Sequence, residues 1–252
     1  MHWDPKQYVR YADERGRPFV DLIARIDADA PAQVVDLGCG PGNLTALLAT
    51  RWPDARIEGI DSSPEMIARA REVPGMSFSV QDIATWTPTG DVVLSNAALQ
   101  WVPDHPALIR GWCAALPPGS WLAWQVPGNF GAPSHALMAS LATSDRWRSQ
   151  LAGVLRHDAV LTPAEYAALL ADEGWSADVW ETTYLHLLPG EDPVLDWVRG
   201  TGLRPILQAL SPGEAAEFTE VYAELLRSAY PQGPAGTPFP FRRIFAVGHK
   251  PA

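Results

Sequence analysis

Short apolar runs alternate with segments of helical spacing along the first half of the chain. The apolar runs predict five strands, over residues 33–37, 56–60, 77–80, 91–95 and 121–126. Helical segments separate these runs, and Ser63-Pro64-Glu65 is a typical cap for the helix that follows the second strand. Strands that alternate with helices in this way predict βαβ units and therefore a parallel sheet.

The alternation of apolar runs and helical segments changes after Val126. Residues 179–188 alternate between two faces, which predicts a long strand that we expect to be antiparallel, and Ile244–Val247 predicts a closing strand. Further predictions are helices over residues 134–142, 162–173, 193–210 and 212–230, and a proline- and glycine-rich loop over 231–240. The pattern predicts one α/β domain over residues 1–252, with a core of five parallel strands followed by these two further strands.

Two connections are longer than the sheet requires. Residues 128–160 and 189–238 exceed the about 6 residues of an ordinary loop, so we expect them to form a helical cap over the site.

The composition excludes several classes of partner. A net charge of -10 and a pI near 5.0 create no field that would draw the chain to a phosphate backbone, so we expect no nucleic-acid partner. No apolar run approaches the about 18 residues that span a bilayer, so we expect no membrane association. Residues 1–5 lack a secretory pattern and the chain has two cysteines, which fits a reducing, cytoplasmic setting.

A glycine-rich turn follows the first strand, in Asp36-Leu37-Gly38-Cys39-Gly40-Pro41-Gly42-Asn43. Glycines there let the backbone approach a ligand, and the next helix offers free N–H groups, which favours a nucleotide-like ligand. Asn43 stands where a dinucleotide-binding turn has its last glycine, and the Asp36 carboxylate would repel a pyrophosphate but attract a cationic amino acid. An NAD-dependent oxidoreductase is therefore disfavoured, and the lack of Gly-Lys-Ser/Thr excludes a P-loop.

These residues resemble the class I S-adenosylmethionine-dependent methyltransferases, whose first motif is acidic-x-Gly-x-Gly-x-Gly. The family's next landmark, an acidic residue for the ribose, matches Asp61, which lies 19 residues after Gly42. The resemblance implies the α/β fold of this class, a Rossmann-like, seven-stranded sheet that is mostly parallel with an antiparallel last strand. It also implies a cofactor-binding core over residues 30–127 and S-adenosylmethionine as cofactor. The cofactor-binding residues it implies are Asp36, Gly38, Gly40, Gly42, Asn43, Asp61, Ser62, Asp82, Ile83, Asn96 and Ala97.

Nearly the whole chain resembles the trans-aconitate methyltransferase family. The stretches that carry this resemblance are Trp3-Asp4-Pro5 with Tyr8, Glu14-Arg15 with Arg17-Pro18, and residues 95–105, 126–130, 197–205 and 240–245. The resemblance implies a methyl ester formed on one carboxylate of a small unsaturated tricarboxylic acid, a small anionic substrate. Pro118-Gly119-Ser120 departs from the Gly-Gly pair found in many methyltransferases, but it affects only a turn.

Methyl transfer to a carboxylate requires no proton transfer by the protein. A carboxylate with a pKa of about 4 is already an anion at pH 7, so we expect positioning and exclusion of water rather than a catalytic residue. Asn96-Ala97-Ala98-Leu99 replaces the Asp/Asn-Pro-Pro-Tyr/Phe tetrad of exocyclic-amine methyltransferases, which argues against a nucleobase acceptor. The six histidines are scattered and the two cysteines lack ligand spacing, so no metal is expected.

Arginines suit a tricarboxylate because the guanidinium forms planar, bidentate pairs with carboxylates. The candidates are Arg199, Arg204 and Arg242, while strand alternation points the neighbouring Arg243 the other way. Further candidate substrate-binding residues are Tyr8, Trp101, Asn129 and His135.

Other functions stay open at this point. The same cofactor half would serve a methyltransferase for another small carboxylic acid or an unrelated small molecule. A non-catalytic protein that binds S-adenosylmethionine or a partner is a further alternative, because function resides in sites carried by a fold. The pattern does not define an oligomeric state.

Overall fold

One seven-stranded sheet organises the computed structural model, which describes residues 12–154 and 160–252, with side chains from residue 16 onward at the N-terminal end. The strands are β1 (Gln33–Leu37), β2 (Arg56–Asp61), β3 (Ser77–Val80), β4 (Val92–Asn96), β5 (Trp121–Pro127), β6 (Ser176–Leu188) and β7 (Thr237–His249). The helices are α1 (Ala12–Ile23), α2 (Ala46–Arg51), α3 (Pro64–Ala70), α4 (His105–Ala115), α5 (Pro133–Ala142), α6 (Arg148–Leu151), α7 (Pro163–Asp172), α8 (Pro193–Arg199), α9 (Arg204–Ala209) and α10 (Pro212–Ala229). Short 3₁₀ turns cover Ile83–Thr85 and Leu99–Trp101.

The strand order β3-β2-β1-β4-β5-β7-β6 places a topological switch between β1 and β4. Strands β1 to β5 pair in parallel, while β7 pairs antiparallel with both β5 and β6. The antiparallel pairing expected for residues 179–188 is therefore present, between β6 and β7. The strand that runs opposite to β1 to β5 is β7, whereas β6 runs in the same direction as β1 to β5. The predicted mixed sheet with an antiparallel last strand is present, and ligands bind at the carboxyl edge of such a sheet.

Helices cover both faces of the sheet. On one face, Phe19 and Leu22 of α1 and Leu48 of α2 pack on β1, β4 and β7. On the other face, Trp112 of α4 and Tyr166 of α7 pack on the same strands and on β5. The central strands β1, β4 and β5 are apolar because both of their faces are buried, as a parallel sheet requires.

Local capping explains where several helices begin. The Ser63 side chain accepts a hydrogen bond from the Met66 N–H at 3.3 Å, so Ser63 caps α3 as its sequence predicts. Thr162 and Glu165 form a reciprocal capping box at the start of α7.

Two predictions for the second half of the chain are wrong. The helix expected over residues 193–210 is divided into α8 and α9, because residues 200–202 form a turn in which the Leu203 N–H bonds to the Val198 carbonyl at 3.0 Å. The loop expected over residues 231–240 overlaps β7, which begins at Thr237. Pro238 and Pro240 are tolerated there because β5 ends opposite Arg243, so the side of β7 that they face has no β5 ladder to disrupt.

A second apolar core lies between helices α5, α6, α8, α9 and α10 and the adjoining ends of β6 and β7. Its large buried side chains include Trp147, Trp197, Phe218, Tyr222, Phe239 and Phe241. The two segments expected to form a cap thus pack on each other and on the sheet extension. In the described part of the chain, no helix is long and apolar enough to cross a membrane.

We predict that Gly42→Ala lowers the free energy of unfolding by about 1–3 kcal/mol. Gly42 has a φ of 79°, and an added Cβ would lie 3.1 Å from Ala70 and from the Phe78 ring, so both strain and overlap oppose the change. Gly213→Ala is the matched control, since a Cβ there meets nothing within 4 Å inside α10. Urea denaturation of both variants measures the difference, and equal stabilities would contradict this account of the turn.

Candidate active site

A cavity of about 560 Å³ opens at the carboxyl ends of β1, β2 and β4. Nine predicted site residues line it: Gly38, Gly40, Asp61, Ser62, Asp82, Ile83, Asn96, Ala97 and Trp101. Pro41, Ser63 to Met66, Ala84, Ala98, Val102 and Pro103 complete the lining. The cavity therefore gathers the ends of four segments that are far apart in the sequence, at the switch point where an open α/β sheet binds its ligands.

The glycine turn has the backbone geometry that glycine permits. Gly38 has a φ of 80°, and a Cβ at this position would lie 2.4 Å from the Ala98 Cβ. Gly40 has a φ of 57°, but a Cβ there would meet nothing within 4 Å. A side chain at Gly38 would collide with the protein, whereas a side chain at Gly40 would enter the space that the turn leaves open.

The Asp61 carboxylate joins the turn to the next helix. Its Oδ2 accepts a hydrogen bond from the Gly40 N–H at 3.0 Å, and its Oδ1 accepts one from the Ser63 N–H at 2.8 Å. Burial raises the pKa of Asp61 above its ordinary value, although these two backbone donors oppose the shift. A carboxylate has about four acceptor positions, so each oxygen keeps capacity for a donor from the cavity.

Asp82 and Ile83 form the next wall of the cavity. Asp82 caps the short 3₁₀ turn, because its Oδ1 accepts a hydrogen bond from the Ala84 N–H at 2.9 Å. The Ile83 side chain is buried and presents apolar surface. A carboxylate and an apolar side chain therefore lie side by side at the end of β3.

The end of β4 is strained and incompletely hydrogen-bonded. Ala97 has a φ of 55°, which is unfavourable for a residue with a Cβ, and its N–H donates to the Gln125 carbonyl at 2.8 Å. The adjacent Asn96 Oδ1 is buried and accepts no hydrogen bond within the described chain. An unpaired acceptor that lines a cavity indicates a donor supplied by a ligand.

Three predicted cofactor residues lie outside the cavity lining. Asp36 is buried, and its Oδ2 accepts a hydrogen bond from Thr45 Oγ1 at 2.6 Å. Burial raises the Asp36 pKa to about 7, the Thr45 hydrogen bond opposes this, and the Asp61 charge adds to it. Gly42 packs beneath α3, and Asn43 is exposed. Direct contact of these three residues with a cofactor stays a prediction.

Asn129 and Arg242 lie beside each other near the end of β5. The Asn129 Oδ1 accepts a hydrogen bond from the Arg242 backbone N–H at 2.7 Å. The Arg242 guanidinium donates through Nε to Glu181 at 3.0 Å, also donates through Nη2 to Glu181, and reaches the Gly128 carbonyl at 3.3 Å. To bind a substrate, Arg242 would have to exchange its pairing with Glu181.

The other predicted substrate residues lie in the cap. His135 is next to Gly202, and its Nδ1 is 3.2 Å from Ser134 Oγ. Burial lowers the His135 pKa to about 4, so its ring is neutral at physiological pH. Arg199 is exposed at the end of α8 and Arg204 begins α9. Among the described residues, no cap residue lines the cavity, and Tyr8 lies outside the described residues.

Sequence reasoning missed Gln125 and gave Arg243 less weight than Arg242. Both are buried, and the Arg243 Nη1 donates to Gln125 Oε1 at 3.4 Å. The signal was a polar residue inside the apolar run of β5, next to the end of the strand. Such a residue is rare in a buried strand unless it has a partner.

Comparison with known proteins identifies the family. Residues 8–178 match the family model of a methyltransferase domain. The chain is 59% identical to a trans-aconitate 2-methyltransferase of Streptomyces coelicolor, across 99% of this chain and 87% of that protein. It is 56% identical to the enzyme of that name from Rhodococcus jostii, across 97% of this chain and 98% of that protein. The chain therefore belongs to the trans-aconitate 2-methyltransferase family.

Solved structures support the same fold. The YcgJ protein from Bacillus subtilis matches with a TM-score of 0.57 and 14% identity, across 96% of this chain and 99% of that one. Phosphoethanolamine N-methyltransferase 2 from Haemonchus contortus matches with a TM-score of 0.54 and 13% identity, across 94% of this chain and 53% of that one. With the family match, the predicted class I methyltransferase sheet is confirmed.

We predict that Asp36→Asn changes how stability depends on pH. The folded-state pKa of about 7 lies above the ordinary 3.8, so the folded protein holds this proton more tightly, and stability is lost as pH rises from about 4 to about 7. Asparagine keeps an acceptor for Thr45 but cannot ionise. The unfolding free energy of the variant relative to wild type should therefore rise by about 2–4 kcal/mol between pH 4 and pH 8. Urea denaturation at both pH values tests this, and a pH-independent difference would contradict it.

Proposed function

We propose that this protein transfers a methyl group from S-adenosylmethionine to a carboxylate of trans-aconitate, forming a methyl ester. The observation that carries the proposal is full-length similarity to proteins named trans-aconitate 2-methyltransferase, from 50% to 59% identical across at least 97% of the chain. The cavity supports it, since eight of the eleven cofactor residues expected for a class I methyltransferase line it.

The cavity residues fit the chemical groups of S-adenosylmethionine. Asp61 has acceptor capacity for the ribose hydroxyls, and Asp82 with Ile83 offers a carboxylate and an apolar surface for the adenine. The unpaired Asn96 Oδ1 suits the ammonium of the methionine part. When bound, S-adenosylmethionine supplies a methyl group activated by a positively charged sulfur.

The chain's own contribution to the reaction is positioning and exclusion of water. The acceptor carboxylate is ionised at neutral pH and needs no proton removed before it attacks the methyl carbon. His135, the histidine proposed for the substrate side, is neutral because burial lowers its pKa to about 4. Ala97, Ala98 and Trp101 line the cavity after the end of β4, where we expect the methyl group, and present no proton-transfer group that titrates near pH 7.

Recognition of the acid uses residues on the cap side. We assign this role to Asn129, His135, Arg199, Arg204 and Arg242, with Trp101 at the cavity and Tyr8 of the N-terminal stretch. The cationic side chains among them offset a net charge of -10 that would otherwise repel a tricarboxylate.

We predict that Asp61→Ala weakens S-adenosylmethionine binding by about 1.5–3 kcal/mol, or roughly 10- to 150-fold, because hydrogen bonds to a charged group are lost. Asp145→Ala is the matched control, because the Asp145 side chain is 97% exposed and away from the cavity. Isothermal titration of the folded variants measures the effect. Unchanged affinity in Asp61→Ala would remove Asp61 from the cofactor site.

We further predict that kcat at saturating S-adenosylmethionine and trans-aconitate stays flat, within about 2-fold, from about pH 6.5 to 8.5. Saturation removes the effect of Asp36 ionisation on cofactor binding, so the profile reports the transfer step alone. Initial rates of methyl ester formation across this range are the measurement. A limb that rises with pH would indicate a general base and an acceptor other than a carboxylate. No methylation of trans-aconitate or any other small carboxylic acid would refute the proposed function.

A further inference from the structure

Two buried side-chain amides near the carboxyl end of β5 have donors without acceptors. Gln125 is 1% exposed and Asn129 is 3% exposed. Neither the Gln125 Nε2 nor the Asn129 Nδ2 has a hydrogen-bond partner within the described chain. A buried donor left unpaired costs about 1–3 kcal/mol, so both amides require an explanation.

The orientation of both amides is set by their oxygen atoms. The Gln125 Oε1 accepts a hydrogen bond from the Arg243 Nη1 at 3.4 Å, and the Asn129 Oδ1 accepts one from the Arg242 backbone N–H at 2.7 Å. Rotating either amide would place its NH₂ group against another donor. The free positions are therefore N–H donors, and they need an acceptor from outside the described chain.

Arg243 adds positive charge to this pair. It is 7% exposed, and its guanidinium lies 4.4 Å from the centre of the Phe241 ring. Strand alternation directs Arg243 to the face of Gln125, whereas Arg242 points to the opposite face and pairs with Glu181. A buried guanidinium beside the Gln125 amide, on the residue next to the backbone partner of Asn129, has the chemistry that binds a carboxylate, an acceptor with two oxygens and a negative charge.

The position of this cluster connects it to the cavity. Asn96, which lines the cavity, is the register partner of Gln125 on the neighbouring strand. The Ala97 N–H, also at the cavity, donates to the Gln125 carbonyl at 2.8 Å. Neighbouring strands are about 4.8 Å apart, so a small polycarboxylic acid is long enough to reach from the cavity to Gln125 and Arg243.

We propose that Gln125, Asn129 and Arg243 form a carboxylate subsite, which binds an acid group of the substrate that is not methylated. This inference rests on the proposed function and adds Gln125 and Arg243 to the residues that recognise the acid. The two amide nitrogens are closed to solvent, so the entering carboxylate displaces the atoms that cover them. The subsite makes the enzyme selective for acids with more than one carboxylate.

Isosteric variants test the subsite without removing its internal hydrogen bonds. Gln125→Glu and Asn129→Asp keep the oxygen that Arg243 or the Arg242 N–H requires, but replace the unpaired donor with a charged acceptor. We expect each to raise KM for trans-aconitate about 10- to 100-fold, the range for one lost charge-assisted hydrogen bond plus repulsion. Affinity for S-adenosylhomocysteine should change by less than about 2-fold. Gln150→Glu, which adds the same charge at an exposed position of α6, is the control and should match wild type.

Direct binding and a substrate series separate this inference from the proposed function. Trans-aconitate is titrated calorimetrically into each protein saturated with S-adenosylhomocysteine, and rates are compared for tricarboxylic, dicarboxylic and monocarboxylic acids. Arg243→Gln should lose most of the preference for the tricarboxylate, and Arg243→Lys should restore part of it by restoring the charge. Thermal unfolding identifies any Arg243 variant that does not fold. In that case the results for Gln125→Glu and Asn129→Asp decide whether the subsite exists.

The outcomes differ for the two claims. If wild type methylates trans-aconitate and the folded variants retain its KM, binding and acid preference, the subsite is wrong and the proposed function survives. If wild type neither binds nor methylates a small carboxylic acid, the proposed function and the subsite both fail.

Discussion

The shape of the cavity depends on two hydrogen bonds that the Asp61 carboxylate accepts. It accepts backbone hydrogen bonds from Gly40 at 3.0 Å and from Ser63 at 2.8 Å, and so joins the glycine turn after β1 to the start of α3. This link is possible because β1 and β2 are parallel neighbours whose carboxyl ends meet at one edge. Removing part of a carboxylate from water costs free energy unless it is hydrogen-bonded, so both backbone donors stabilise this arrangement.

The first half of the fold and most of the cavity lining could be predicted from the sequence because their determinants are local. The apolar runs of β1 to β5 and the cap at Ser63 are contiguous signals, and the positions of Asp61, Asp82 and Asn96 at strand ends follow from them. The glycine turn follows β1 as the sequence predicts, but its three glycines differ in their surroundings. Gly38 and Gly40 line the cavity, whereas Gly42 allows α3 to pack closely.

The second half could not be predicted as well because its determinants are long-range. Pro238 and Pro240 indicate a loop until it is known that β5 stops opposite Arg243, more than 100 residues away in the sequence. Which of the two arginines, Arg242 or Arg243, reaches Gln125 depends in the same way on partners that are distant in the sequence. Glu181 of β6 forms an ion pair with Arg242, while Gln125 of β5 accepts a hydrogen bond from Arg243. Neither interaction has a local signal in the sequence.

The central claim is that the cavity directs methyl transfer to a carboxylate, and the bond formed tests it most directly. Purified protein is incubated with trans-aconitate and S-adenosylmethionine carrying a labelled methyl group, and the product is treated with mild alkali. The label should be released as methanol, in amounts equal to the S-adenosylhomocysteine formed, because a methyl ester is hydrolysed by alkali. Label that stays attached after this treatment, as in an ether, an amine or a carbon-linked methyl group, would contradict it.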